Sequence, residues 1–204
     1  MTNFITEQKA QYLTTALYHV AFEGWTDSLI QKISDELGLD PNYFSLVFRG
    51  GIKELVGYSV ERANMKMLVQ FQQLDISSMK VREKIYTIIK LRLESINKQV
   101  ERRTLAYYSL PHNAATGLKN LWQIVDMMWY ECGDISTDYN HYSKRMLLAL
   151  VYSRTLCYYL NDETENNSAT WEYLTQSINK VLKFGNIKTT VKNYCKKLPF
   201  IRLL

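Results

Sequence analysis

The sequence predicts an all-helical protein with a helix-turn-helix at its N-terminal end, and three observations predict it. Only eight Gly and three Pro interrupt 204 residues, which leaves long unbroken stretches. Within them apolar residues recur at helical spacing, and no alternating strand pattern holds for long. Near the N-terminus two short helical patterns flank Gly38 and the pair Asp40-Pro41, which is helix-turn-helix spacing. With 47% hydrophobic residues, the chain is long enough for one sizeable core, or for a three-helix unit fused to a larger bundle.

The elements follow in order. Residues 6–22 give a first helix with Leu13, Leu17 and Val20 on one side, closed by Gly24. A second runs from Thr26 to Leu37, where Leu29, Ile30, Ile33 and Leu37 form an apolar stripe and Gly38 supplies a left-handed stop. Asp40 then caps a short third helix, with Pro41 at its first position. Longer helices are expected at 51–73, 79–103, 114–132, 138–161, 169–184 and 187–198. The polar run Asn161 to Asn167 reads as a loop. This divides the chain into a three-helix segment (1–50), a helical bundle (51–185) and a basic amphipathic tail (186–204).

Net charge is +5, unevenly placed. No acidic residue follows Glu172, whereas seven Lys and Arg do, so the remainder carries 18 basic against 20 acidic residues. The basic character belongs to the tail, which argues against a generally basic nucleic-acid binder and for a local anionic partner. Cys132, Cys157 and Cys195 show no CxxC spacing and read as reduced thiols of a cytosolic protein. The opening MTNFITEQKAQYL has neither an apolar core of signal-peptide length nor an Arg-rich amphipathic presequence. No apolar run approaches the ~20 residues of a membrane span. The expected location is the bacterial cytoplasm, at most peripherally on the inner membrane.

The stretch from Leu110 to Arg145 is the most informative. It places Trp122, Met127, Met128 and Trp129 on one helix and follows them with the polar turn Gly133 to Asn140. The LPHN box at Leu110 to Asn113, the VDMMW run at Val125 to Trp129, the GDxSTDYNxYxKR run at Gly133 to Arg145, and TWEYL at Thr170 to Leu174 resemble the coenzyme Q biosynthesis protein nine family. The similarity runs from about Leu17 to about Lys192. It implies a TetR-like helical bundle with a degenerate helix-turn-helix. It also implies a non-catalytic accessory protein of ubiquinone biosynthesis, which binds an isoprenoid or quinone-intermediate lipid and presents it to the membrane-associated demethoxyubiquinone hydroxylase. No cofactor is implied, and relatives of the fold are homodimers. One departure is His141, where the family commonly has Trp; that contact is weaker here or matched by a change in the partner.

The rival reading is a TetR-type ligand-responsive transcription repressor. GWTDSLIQKISDELGLDPNYF has the required order of helix, glycine and helix, and GGIKEL resembles the segment after a TetR recognition helix. Yet Asp40 to Phe48 contains an acid and no Lys or Arg until Arg49. Phosphate contacts dominate affinity for DNA, so nucleic acid is not the expected partner. An enzyme fares worse. Asp138 and His141 could sit one helical turn apart, but a di-iron bundle needs further Glu ligands and a second such pair. His19 and His112 have no matching acids, His112 reading as a turn residue after Pro111. No GxSxG, GxGxxG or GxxxxGK[ST] element is present. No metal site is therefore expected.

Three sets of site residues remain. Helix 114–132 carries Leu118, Leu121, Trp122, Val125 and Trp129 on one face, and helix 79–103 carries Ile85, Ile89, Leu93 and Ile96. Most such residues are core, but Met and aromatic side chains make adaptable walls. The pocket itself is implied by the resemblance, with Ile89, Leu93, Leu121, Trp122 and Val125 as its lipid-binding residues. The resemblance also implies a hydroxylase-docking patch of Asp126, Met128, Trp129, Asp138, Asn140, His141, Tyr142 and Arg145. Its Tyr, Trp and Arg are types enriched in interface hot spots. The alternative is that Asp138 and Arg145 pair within the chain while Trp129 packs in the core. In the tail, Ile187, Val191, Tyr194 and Leu198 recur opposite Lys188, Lys192 and Lys196, and Pro199 ends the pattern. This is either a membrane-surface anchor or a helix capping the protein's own core.

Overall fold

The computed structural model describes residues 2–137 and 139–181, and all regular structure among them is helical, as expected. The first unit comprises α1 (Thr2–Glu23), α2 (Asp27–Leu37) and α3 (Pro41–Val47). Gly38, at φ +64, ends α2 as the sequence predicts, with the backbone N–H groups of Gly38 and Leu39 returning to the carbonyls of Asp35 and Ser34. Asp40 caps α3 by accepting the Asn42 N–H at 2.7 Å, and Pro41 sits at the first helical position.

The bundle is built from α4 (Ile52–Gln72), α5 (Val81–Glu94), α6 (Lys98–Ser109), α7 (Pro111–Glu131), α8 (Tyr139–Asn161) and α9, which runs from 168 to the last described residue, 181. Two expectations need correction. The single helix expected over 79–103 is broken at Ser95-Ile96-Asn97, where Asn97 Oδ1 accepts the N–H groups of Gln99 and Val100 and starts a new helix. Apolar spacing from Ile85 through Leu93 to Val100 is continuous, so periodicity hid the break and only the capping residue betrays it. The seventh helix begins at Pro111, three residues before the expected start, which puts His112 in its first turn rather than in a preceding loop. Leu110 is extended, as the residue before a proline prefers, and is the whole connection between α6 and α7.

Two hydrophobic cores form. In the first, Tyr12 meets Phe44 and Phe48 edge-on at 5.5 and 6.1 Å, over Leu29 and Ile33. Leu55 and Val56 of α4 and Val100 of α6 join this core, so its packing crosses residue 50. The second core gathers α4, α5, α7, α8 and α9 around Met67, Phe71, Ile88, Ile89, Leu93, Val125, Met128 and Leu174. Helix α6 spans both. It packs on α1, α7 and α8; Thr104 accepts the Trp25 Nε1–H at 3.0 Å, and Arg102 donates to the Leu160 carbonyl. Lys98 donates to the Asp162 carbonyl and to Asn167 Oδ1, both at 2.6 Å, and so ties the start of α6 to the turn before α9.

The close antiparallel packing of α6 on α7 depends on Gly117, where an added Cβ would lie 2.8 Å from Tyr108 Cβ. Gly117→Ala is therefore expected to force the two helices apart and lower stability by about 1–3 kcal/mol, read as a lower midpoint in urea unfolding followed by circular dichroism. An unchanged or higher midpoint would show that the approach is not limiting.

Candidate functional site

The resemblance-bearing segment folds into a charged hinge between α7 and α8. Gly133, at φ +88, stops α7: its N–H reaches the Tyr130 carbonyl at 2.9 Å, and the Asp134 N–H reaches the Trp129 carbonyl at 3.0 Å. This is a Schellman closure. It turns the Asp134 side chain inward, where its carboxylate is 5% exposed and accepts from Ser136 Oγ at 2.9 and 2.8 Å, Lys144 Nζ at 2.6 Å and Arg145 Nη1 at 3.0 Å. Arg145 is equally enclosed and reaches back to α7 through Nε to Asp126 Oδ1 at 2.5 Å, and to the His141 carbonyl at 3.1 Å. Burial alone would raise the Asp134 pKa, but hydrogen bonds from Lys144, Ser136 and Arg145 outweigh it and hold the group at about 2.

The expected docking residues divide accordingly. Arg145 is buried in the ion network and Met128 is fully buried in the second core, so neither presents its side chain at the surface of the chain. The intramolecular alternative holds for Arg145, because a buried guanidinium between two carboxylates is held where its charge is compensated. Trp129 is half-buried; its Nε1–H donates to the Lys144 carbonyl at 3.0 Å, and the Lys144 ammonium lies 5.7 Å from its ring centre. Asp126 keeps half of its side chain exposed while holding Arg145. Asn140 is exposed. His141 stands 3.0 Å through Nδ1 from the Ser136 carbonyl and edge-on to Tyr142, which is exposed. Asp138 lies outside the described residues, as do all the expected membrane-binding positions Ile187, Lys188, Val191, Lys192, Tyr194, Lys196 and Leu198.

The structure adds residues that the sequence reading missed. Tyr142 stacks on Trp122 at 6.2 Å, which places Trp122 at the surface seam between α7 and α8 rather than in the interior. Met146, one helical turn beyond Tyr142 on α8, is a strongly exposed apolar side chain, and so is Ile135 in the turn before α8. The i to i+4 spacing of Tyr142 and Met146 was the available signal. Leu118, expected to face inward, is 68% exposed.

The expected lipid residues are placed differently again. Ile89, Leu93 and Val125 are fully buried and close-packed, and Leu121 packs partly buried against them. None of them lines the groove described next. The larger groove, about 1010 Å³, lies instead between α1, α4 and the α5–α6 junction; its apolar lining includes Leu13, Leu17, Val60, Met65, Val69 and Ile96. Its volume is of the order of small-molecule sites. Val60 belongs both to this wall and to the core that contains Ile89, Leu93 and Val125. Among the described residues no group of three or more His, Cys, Asp or Glu could hold a metal ion, and no helix is long and apolar enough to cross a membrane.

The architecture is that of the TetR-like helical proteins. A TetR transcriptional regulator from Nitrosomonas europaea superposes with a TM-score of 0.71, covering 85% of this chain and 97% of that one at 18% identity, a likeness of fold alone. By sequence the relatives are the COQ9 proteins. The COQ9 family model matches residues 114–185, which hold the charged hinge, α8 and TWEYL. Human ubiquinone biosynthesis protein COQ9, mitochondrial, is 29% identical over 94% of this chain, and the probable coq9 protein of Dictyostelium discoideum is 28% identical over 91%. The resemblance carried by the motifs is thus borne out. The chain spans 63% of the length of each of those two relatives. The expected bacterial cytoplasmic location is corrected: the human, Dictyostelium and rat relatives are mitochondrial proteins by name, and nothing places this chain in a bacterium.

The hinge carries a pH signature. Because the folded Asp134 pKa is depressed from 3.8 to about 2, its stabilisation is complete above the unfolded value and is lost as pH falls through the folded one. The Tm advantage of the wild type over Asp134→Asn is expected to be full at pH 5 and to shrink steadily towards pH 2. A difference independent of pH over that range would show that the carboxylate charge does not hold the hinge.

Proposed function

We propose that the protein acts in ubiquinone biosynthesis as a non-catalytic accessory protein that binds an isoprenoid or quinone-intermediate lipid and presents it to the demethoxyubiquinone hydroxylase. The observation that carries this reading is the similarity, over nine-tenths of the chain, to proteins named for ubiquinone biosynthesis. The groove between α1, α4 and the α5–α6 junction supports it, since its apolar walls suit an isoprenoid chain and each buried CH₂ contributes roughly 0.8 kcal/mol. Ile89, Leu93 and Val125 lie in the packed core that shares Val60 with this groove, and Leu121 packs against that core.

The docking surface in this reading is the aromatic seam of Trp122, Tyr142 and Met146, bordered by Asp126, Trp129, Asn140 and His141. Arg145 and Met128 act beneath it by fixing α7 against α8. The tail residues named above supply contact with an anionic membrane, each basic side chain adding ~1 kcal/mol, and a second copy of the chain completes a homodimer.

Three measurements test the proposal. Native mass spectrometry of protein purified from a lipid-rich host is expected to show a bound prenylated or fatty lipid; lipid-free protein that also ignores added quinone analogues overturns the lipid role. In a pull-down with the cognate hydroxylase, Tyr142→Asp is expected to reduce capture at least tenfold, as hot-spot truncations of ~2 kcal/mol do, with its circular dichroism spectrum unchanged. Wild-type capture by that folded variant would move the docking surface elsewhere. Arg145→Asp is unsuitable for this test, because it places a third carboxylate beside Asp126 and Asp134 and is expected to unfold the hinge. Vesicle flotation of the full chain and a chain ending at Gly185 tests the tail: equal binding to anionic vesicles removes it from membrane contact.

A further inference from the structure

The groove between α1, α4 and the α5–α6 junction has a closed floor and an apolar rim studded with cations. Leu13, Val60 and Val100 line the floor and are buried. Leu17 and Tyr18 of α1 and Met65 and Val69 of α4 line the same groove, yet they are 40%, 73%, 44% and 56% exposed and so mark the edge at which it opens to the surface. The apolar strip continues one turn along α1 to Phe22, which is 83% exposed. A spacing of four residues, from Tyr18 to Phe22 and from Met65 to Val69, keeps each pair on one side of its helix.

Cations border this strip. Arg62 and Lys66, one turn apart on α4, also line the groove; both are exposed, and neither pairs with a carboxylate among the described residues. Arg103 of α6 is held at the end of α1 by carbonyls alone, donating through Nε to Ala21 at 3.0 Å and through Nη2 to Phe22 at 3.5 Å, so its charge is not neutralised there. The acids of the lining do not offset the rim. Glu94 lies 3.8 Å from Lys90, and Glu101 is enclosed in the wall. Glu61 is exposed on α4 but does not line the groove. Exposed apolar side chains gathered in this way mark an interaction surface.

We propose that this rim is a membrane-contact surface that seats the open mouth of the groove on an anionic bilayer. Tyr18, Phe22, Met65 and Val69 enter the boundary between head groups and acyl chains, while Arg62, Lys66 and Arg103 meet the lipid phosphates. Composition favours a bilayer over a protein partner: Lys is depleted from protein interfaces, whereas cations beside exposed aromatic and aliphatic side chains suit a membrane surface. A second copy docked here by a twofold contact gathers the same cations twice, with no free acid of the lining to oppose them. Contact at the mouth also lets an apolar chain enter the groove without crossing water, where each exposed CH₂ is unfavourable. That last role rests on the lipid-binding reading above; the membrane contact stands apart from it and from the tail.

The test uses the full chain and vesicles of phosphatidylcholine and phosphatidylglycerol. Phe22→Trp and Leu118→Trp each place a new indole at a strongly exposed position, the first on the rim and the second on α7. With brominated acyl chains in the vesicles, Phe22→Trp is expected to be quenched more than wild type and Leu118→Trp no more than wild type. In flotation, the folded double variant Arg62→Gln/Lys66→Gln is expected to bind about 25-fold more weakly, about fivefold for each charge lost. Vesicle-bound protein whose Phe22→Trp emission gains no quenching is held by another surface, the tail included, and overturns the proposal. Flotation of the folded charge variant at the wild-type level overturns it as well. So does a wild type that ignores the vesicles, and if Phe22→Glu then turns a dimer into a monomer, the strip belongs to a second copy. Protein that docks through Phe22 but carries no lipid in native mass spectrometry and ignores quinone analogues leaves the surface standing and overturns the lipid reading.

Discussion

The position of Asp134 governs how α7 and α8 meet. A left-handed glycine ends α7 and delivers the next residue's carboxylate into the junction, where it meets Lys144 and Arg145 from the opening turns of α8. Arg145 then grips Asp126 on α7, so the two helices are tied on both sides of one guanidinium. With 5% and 4% of their side chains exposed, Asp134 and Arg145 have little water to compensate a lost partner, and breaking such a pair typically costs about 3–5 kcal/mol. The aromatic seam on the surface is a consequence of this geometry, since the stacking of Trp122 on Tyr142 requires α7 and α8 at that crossing.

A second polar hub repeats the logic at the other end of α8. The Asp162 carboxylate accepts the N–H and hydroxyl of both Thr164 and Thr170, and these bonds override the opposing effect of its burial to hold its pKa well below the usual carboxylate range. Thr170 and Leu174 of the TWEYL motif are fully buried, and Trp171 donates to the Asn166 carbonyl at 2.8 Å. In the LPHN box, Leu110 and Pro111 start α7, and Asn113 donates to the Tyr107 carbonyl at 3.2 Å. These motifs therefore fix helix ends and crossings.

The centre of the bundle follows a different rule. At both hubs the buried charge is fully met, whereas Arg92 and Tyr152 keep open hydrogen-bonding capacity between helices that are otherwise closely packed. Stability alone favours an apolar replacement at such positions.

The sequence by itself determined the helical class, the capped turn at Gly38 and Asp40, and the resemblance carried by the 114–185 segment. Those properties rest on local chemistry: a left-handed glycine, a side-chain cap and apolar spacing act within a few residues. It determined the direction of individual side chains less well. Continuous apolar spacing concealed the break at Asn97, and a helical face wide enough for both Leu118 and Val125 could not say which edge meets solvent. Only the tertiary structure decided that Arg145 and Met128 lie inside, that Trp122 pairs with Tyr142 at the surface, and that the open groove lies against α1 rather than behind Ile89 and Leu93. Each of these depends on where a second helix packs.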